Sequence, residues 1–175
     1  MAPMPPKSPK GEAMERIEII FFDIDWTIYD HKNHRWAPNA IEFIKSLKDK
    51  GVKCVICTAR PYHSLKILGT LDLGIEWDAY IASSGAIAFA DGKYLKKDLM
   101  DPADVFKAVD FLKSNGQTGE VVEPTRRFLV LPQTESSKKY YSVYCESIVD
   151  VDEYKGEEAT GLNMFIPEEF DQELR

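Results

Sequence analysis

The stretch Ile17 to Asp30, IEIIFFDIDWTIYD, constrains the fold more than any other part of the chain. Five of the six residues from Ile17 to Phe22 are apolar, and the run stops at Asp23, followed by Asp25 and Thr27. A short run of β-branched and aromatic residues predicts a strand buried on both faces of a parallel sheet. Its carboxyl end is where an open α/β sheet places its ligand site. Carboxylates two residues apart on extended backbone point the same way. At roughly 4 Å and an effective dielectric of about 20 they repel by about 4 kcal/mol. They need a positive partner, and Mg²⁺, which favours one or two carboxylates with phosphate oxygens and water, meets that need. One carboxylate can also act as a nucleophile while its neighbour moves protons. The competing reading is two solvated acids opening a loop.

After Thr27, the segment Ile28 to Trp36 predicts a tight hairpin turning at His31 to Asn33, with His31 and His34 solvated rather than metal-bound. Asn39 is expected to cap a helix, with Glu42 completing a capping box and Gly51 ending the element. Ile41, Ile44 and Leu47 form its apolar face. Val52 to Cys57 is the second strand, which makes a parallel βαβ unit. The strand ends in Thr58, Ala59 and Arg60, of which Thr58 faces Asp23 and Asp25, and Pro61 opens a helix whose free amides favour an anion; the competing reading is a capping threonine with a surface arginine. That helix is expected over Tyr62 to Leu71, with Leu65, Leu68 and Leu71 inward and His63 exposed. The third strand, Asp78 to Ala82, ends in Ser83, Ser84 and Gly85. Three successive strands ending in DxDxT, TAR and SSG predict a phosphate site on one edge.

From Ala86 the pattern becomes mixed. Asp91-Gly92 signals a hairpin, and Asp101 with Pro102 opens a helix carrying Val105, Phe106, Val109 and Leu112 inward. Strands over Glu120 to Glu123 and Arg127 to Leu131 follow. A helix over Ser136 to Cys145 is expected to pack Tyr140, Tyr141 and Tyr144 into a core, the alternative being that they line a substrate pocket, and a strand over Leu162 to Ile166 leads to a helix at Pro167 to Arg175. The fold class is therefore α/β: a partial Rossmann-like parallel core over 16–85, then an inserted α+β cap over 86–175. Prolines and lysines predict a disordered leader over 1–15.

A net charge of −7 and a pI near 5.0 argue against nucleic acid or an anionic membrane as the main partner. No apolar run reaches the roughly 18 to 20 residues that span a bilayer, and the N-terminus lacks a signal core. A cytoplasmic protein is the default expectation. The three cysteines make no disulfide framework. Cys54 and Cys57 fall on opposite faces of a strand, and both are expected to pack in the core.

FFDIDWTIYD followed by CTARP and SSGA resembles the haloacid dehalogenase superfamily, in its Cof-type phosphatase branch with an α/β cap after the third strand. The resemblance implies that Asp23 forms an aspartyl-phosphate and that Asp25 is general acid and base. It also implies that Asp25 gives its backbone carbonyl to Mg²⁺ and that Thr58 holds the phosphoryl group, with Ala59, Arg60, Ser84 and Gly85 around it. The implied substrate is a small phosphorylated metabolite such as a sugar phosphate. Trp26 and Ala59 stand where that family usually has glycine, and Ser84 where it has asparagine. If position 26 needs a positive φ, tryptophan there costs about 1 kcal/mol or more. The family also continues into a lysine motif and a GDxxxD-like acidic motif, and nothing after Gly85 has that form. The expectation is a C-terminally truncated member, inactive or nearly so by itself, that self-associates through an open sheet edge. The alternative is a non-catalytic phosphate-binding module.

Overall fold

The computed structural model describes residues 16–144 and 150–167. The leader expected over 1–15 lies outside the described residues, as does all but the first residue of the helix expected at Pro167 to Arg175. Strand β1 (Ile19–Phe22) is followed by a small hairpin, β2 (Tyr29–Asp30) and β3 (Arg35–Trp36), and then by helix α1 (Pro38–Asp49). Next come β4 (Lys53–Cys57), α2 (Tyr62–Ile67) and β5 (Ala79–Ala82), and then β6 (Ile87–Ala90) and β7 (Lys93–Lys97). The main sheet has the order β1-β4-β5-β6-β7. Its first three strands are parallel, with Phe22 opposite Ile56 and Ile56 opposite Tyr80, so their carboxyl ends share one rim.

The boundary expected at Gly85 is corrected by this sheet. β6 pairs antiparallel with β5 and β7 with β6, so the hairpin turning at Asp91-Gly92 extends the core sheet instead of opening the second unit. β1 is also not buried on both faces. It lies at the sheet edge, and Ile19 and Phe21 are 44% and 53% exposed. A strand's own hydrophobicity does not record its place in the sheet, and here the helices cover one face, packing Ile44, Leu47 and Leu65 on Phe22, Cys54 and Ile56. Cys54 is buried, whereas Cys57, expected in the core, is exposed on the other face.

Two helix ends differ from expectation for identifiable reasons. α1 starts at Pro38 with Ala37 as its N-cap and no side-chain cap, so Asn39 already lies inside the helix. Proline's fixed φ and missing N–H suit the first helical position, and that preference outweighed the capping box at Asn39 and Glu42. α2 stops at Ile67 because Gly69 turns left-handed at φ 77°, and a short 3₁₀ turn over Thr70–Asp72 replaces its expected last turn.

The second unit contains α3 (Pro102–Ser114), β8 (Thr118–Val122), β9 (Arg127–Leu129), α4 (Glu135–Tyr144) and β10 (Gly161–Phe165). Its antiparallel sheet runs β10-β8-β9. Asp101 caps α3 by accepting from the Ala103 amide at 2.8 Å, as its sequence predicts. Val105, Val109 and Leu112 pack on Val121 and Phe128. Full burial of each such side chain contributes about 1.5–3 kcal/mol. Phe106, expected inward with them, is 39% exposed and lies against Tyr154 instead. Gly119 lets the layers meet. A Cβ there would sit 2.6 Å from Leu112 Cδ1 and 2.9 Å from the Asn163 carbonyl oxygen. No helix among the described residues is long and apolar enough to cross a membrane.

Candidate active site

Beyond β1 the chain coils tightly around one carbonyl. The Ile24 oxygen accepts from the amides of Thr27, Ile28 and Tyr29, which holds Asp23 and Asp25 at the sheet rim. Trp26 occupies this coil at φ 62°, so the condition that penalises a side chain at that position is met. Asp23 Oδ1 accepts from the Ile24 amide at 2.8 Å, and the residue is otherwise exposed. The hairpin β2–β3 folds back over the rim, its register fixed by Tyr29 opposite Trp36.

That hairpin brings in a histidine expected to be solvated. His31 is 5% exposed, and its Nε2 lies 2.5 Å from Asp25 Oδ1. Its ring packs among Trp26, Tyr29 and Tyr144. A signal for this existed, because His31 is two residues beyond the buried Tyr29 and on a strand shares its face.

The second strand end supplies the cation. Arg60 Nη2 donates to Asp25 Oδ1 at 2.7 Å and Nε to Oδ2 at 2.9 Å, with the guanidinium almost wholly buried. Nη2 also donates to the Tyr144 carbonyl at the end of α4, at 3.0 Å. Partial burial pulls the Asp25 carboxyl upward, but the hydrogen bonds and charges of Arg60 and His31 outweigh it and hold the group below the usual carboxylate range. The positive partner that the acid pair requires is therefore Arg60 as far as the Asp25 carboxylate is concerned. Arg60, expected against phosphate, spends its side chain on Asp25 and on α4.

The three strand ends are laced together by their backbones. Thr58 donates its amide to Ile81 at 2.9 Å and accepts the Arg60 amide on its hydroxyl at 3.1 Å. Ser83 donates to the Arg60 carbonyl at 2.8 Å. The amide of Ala59 makes no hydrogen bond among the described residues, and the residue is exposed beside Ser84 at the rim. Ser83 and Ser84 sit at φ 51° and 53° and Gly85 at 90°. For the two serines such left-handed backbone costs on the order of 1 kcal/mol or more each, a strain that surrounding structure must hold in place.

For Mg²⁺, the rim offers the exposed Asp23 carboxylate, to which the family resemblance would add the Asp25 backbone carbonyl. No group of three His, Cys, Asp or Glu side chains fit to hold a metal occurs among the described residues. Two protein ligands suit this ion, which keeps waters and takes phosphate oxygens to complete its octahedron. The residues fit Mg²⁺ in that sense.

A cavity of about 220 Å³ lies between the rim and the second unit, lined by Ala59, Pro61, Ser83 and Ser84 on one side and by Val122, Thr160 and Asn163 on the other. A larger cavity of about 510 Å³ lies at the opposite end of the strands, around Lys53, Asp78 and Gly92, away from the acids. His63, expected in solvent, is half-buried on α2, and neither ring nitrogen has a hydrogen-bond partner among the described residues. Burial and then the Arg127 charge push its imidazole down to about 4. The tyrosine cluster is joined through Tyr140, whose ring lies against both Tyr141 and Tyr144. Tyr141 is buried with its hydroxyl donating to Glu120, and Tyr144 lies edge-on to His31.

Comparison with solved structures agrees with this architecture. The phosphatase BT1666 from Bacteroides thetaiotaomicron superposes with a TM-score of 0.73 at 21% identity, over 95% of this chain and 61% of that one. BT4131, described as a subclass IIB sugar phosphatase, gives 0.72 at 25% identity over 90% and 62%. TM0651 from Thermotoga maritima gives 0.72 at 16% over 91% and 60%. The chain thus spans about three-fifths of the length of these structures. No curated protein matches it. The profile of the haloacid dehalogenase-like hydrolases matches residues 20–174, and with the acid pair, the threonine and the serine turn gathered on one rim, the chain belongs to that family.

Proposed function

We propose that the protein is an Mg²⁺-dependent phosphatase of a small phosphorylated metabolite such as a sugar phosphate. The observation that carries this reading is the convergence of Asp23, Asp25, Thr58 and Ser83 through the backbone bonds and the Arg60 clamp just described. The exposed Asp23 carboxylate attacks phosphorus in line and forms the acyl phosphate, and water then hydrolyses it. Thr58, the Ala59 amide, Ser84 and Gly85 surround the phosphoryl group. When bound, Mg²⁺ would neutralise phosphoryl charge beside Asp23 and the Asp25 carbonyl. Asp25 takes the proton from the attacking water in the second half, a role suited to the charged state in which Arg60 and His31 hold it. The proton it takes there is the one it delivers to the leaving oxygen in the first half of the next turnover, so the carboxyl returns to its starting state each cycle.

Asp23→Asn is expected to abolish Mg²⁺-dependent turnover while leaving the melting transition in place. Turnover retained by that variant would sink the proposal. A second reading, a phosphate-binding module without catalysis, is favoured by the occupation of the Asp25 carboxylate by Arg60 and His31. Calorimetric binding of phosphate and Mg²⁺ by a sample that shows no turnover would establish it. The bare β1 face with Ile19 and Phe21 supports self-association of this chain, and a monodisperse monomer in sedimentation would count against that.

A further inference from the structure

Trp26 is the one residue between Asp23 and Thr27 that the phosphate chemistry leaves without a task, and the backbone is strained to hold it. It is left-handed at φ 62°, a conformation that disfavours any side chain. Burial does little to offset that, because the residue is 67% exposed. It is nevertheless held in place, since its amide donates to the Tyr29 carbonyl at 3.0 Å within the coil that carries the two acids. Among the described residues the indole has a single ring partner, His31, with centroids 4.9 Å apart and planes at 44°. His31 is itself buried and bonded to Asp25, with Tyr29 and Tyr144 edge-on to it at 76° and 83°. The indole is thus backed on one side by a fixed ring and open to water on the other. Because β1 is an edge strand, it stands on the open flank of the acids, with the serine turn and its cavity toward the β5 end of the rim.

We propose that Trp26 is a stacking platform for the organic part of the substrate, and that the substrate is a phosphate ester carrying a flat aromatic ring, as a nucleoside monophosphate does. The assignment rests on the phosphatase reading, which puts the phosphoryl group on Asp23, three residues before the indole. To a sugar phosphate it adds the ring that the platform recognises. A flat unsaturated ring lies offset on an indole and gains from its π surface whatever hydrogen-bonding groups it carries. Such recognition ranks ligands by ring area, purine above pyrimidine above no base. A cation is the other partner that an indole face attracts. It is the poorer fit here, because the acids beside the indole are engaged: Asp25 by Arg60 and His31, and Asp30 by the Lys32 and Asn33 amides. The rings around His31 pack edge-on against it and form no cage.

The test is calorimetric titration of the full chain in Mg²⁺ with inorganic phosphate, ribose phosphate, uridine monophosphate, adenosine monophosphate and choline phosphate. Ribose phosphate shares its sugar and phosphate with the nucleotides, so the ring alone separates them. Adenosine monophosphate is expected to bind about five- to tenfold more tightly than ribose phosphate, the lower end of what stacking gives, with uridine monophosphate between them. Trp26→Leu keeps an apolar side chain without a ring and should bring the adenosine-to-ribose ratio to about one. Trp26→Phe should retain part of it, and inorganic phosphate should bind all three proteins alike. Acrylamide quenching supplies a reading that needs no variant. Of the three tryptophans Trp77 is 8% exposed and Trp36 half-buried, so quenchable emission reports chiefly on Trp26. Adenosine monophosphate should shield that emission and ribose phosphate should not. Equal binding of adenosine monophosphate and ribose phosphate overturns the assignment but leaves phosphate binding standing. So does a preference that survives Trp26→Leu, or tighter binding of choline phosphate than of adenosine monophosphate. Failure of inorganic phosphate itself to bind overturns both this assignment and the phosphatase reading. If Trp26→Leu does not melt cooperatively, the shielding measurement on the wild type decides.

Discussion

One carboxylate–arginine pair in each unit, Glu120 with Arg127 and Asp25 with Arg60, shows how differently such a pair can be held. Glu120 and Arg127 in the cap have side chains 1% and 2% exposed, sealed by Tyr141 and Asn163. Asp25 and Arg60 at the rim are 19% and 5% exposed. The cap pair has given up water on both sides and depends entirely on its partners. The rim pair keeps a wet edge, so its carboxylate can be reached by a substrate. Equal chemistry, differently desolvated, yields a sealed structural node in one place and a carboxylate open to water along one edge in the other.

Removing each cation should separate the two most clearly. Arg127→Met leaves Glu120 charged and buried, and an equilibrium denaturation series is expected to show a loss of about 3–5 kcal/mol. Arg60→Met lets Asp25 rehydrate, so the expected loss is only about 1 kcal/mol. Under the proposed function its larger effect is on turnover, about 10²-fold or more, through the released acid. Similar stability losses for the two would erase the distinction. The packing of α3 on the cap sheet, behind the pair, can be probed at Gly119→Ala, where the new Cβ would collide with Leu112 and the Asn163 carbonyl. A loss of about 1–3 kcal/mol is expected from such overpacking, and an unchanged denaturation midpoint would show that the two layers are looser than described.

Acid sharpens the contrast. His63 has its folded pKa pushed down to about 4 from an ordinary 6.5, so below 6.5 the unfolded chain binds the extra proton first. Stability contributed by neutral His63 is complete above 6.5, falls as pH drops from 6.5 toward 4, and is lost below. Asp25 is also shifted down, but its contribution is complete above 3.8, falls as pH drops below that toward its lowered folded value, and is lost beneath it. His63→Phe is therefore expected to flatten the melting temperature between pH 6.5 and 4, and Asp25→Asn is expected to leave that slope in place. The smallest effect is at Trp26→Gly, where relief of the φ 62° backbone should raise stability by about 1 kcal/mol or less in thermal melts. A loss there would mean that the indole's contact with His31 outweighs the strain.

Much of the rim was legible in the sequence because its signals are local. Apolar runs ending in Asp23, Thr58 and Ser83 fix strand ends, and parallel pairing brings those ends together. The hairpin at Tyr29 to Trp36 and the Asp101 cap follow from short-range geometry in the same way. What was not legible depends on partners distant in the chain. The guanidinium of Arg60 reaches Asp25 across 35 residues, and Glu120 acquires Arg127, Tyr141 and Asn163 only once three strands and a helix assemble. The edge position of β1 could not be read from its residues, because Ile19 and Phe21 are equally apolar whether or not a second layer lies over them. Asn39 failed for a different reason: two start signals competed, and the proline at Pro38 won.

One guanidinium touches both the acid at the rim and the carbonyl that closes α4. A displacement of that helix cannot be silent at Asp25, since lifting it strips a hydrogen bond from the group that steadies the carboxylate. The seating of α4 and the alignment of that carboxylate are thereby geared to one another, so a change packed in more than eighty residues away along the chain is felt at the strand end.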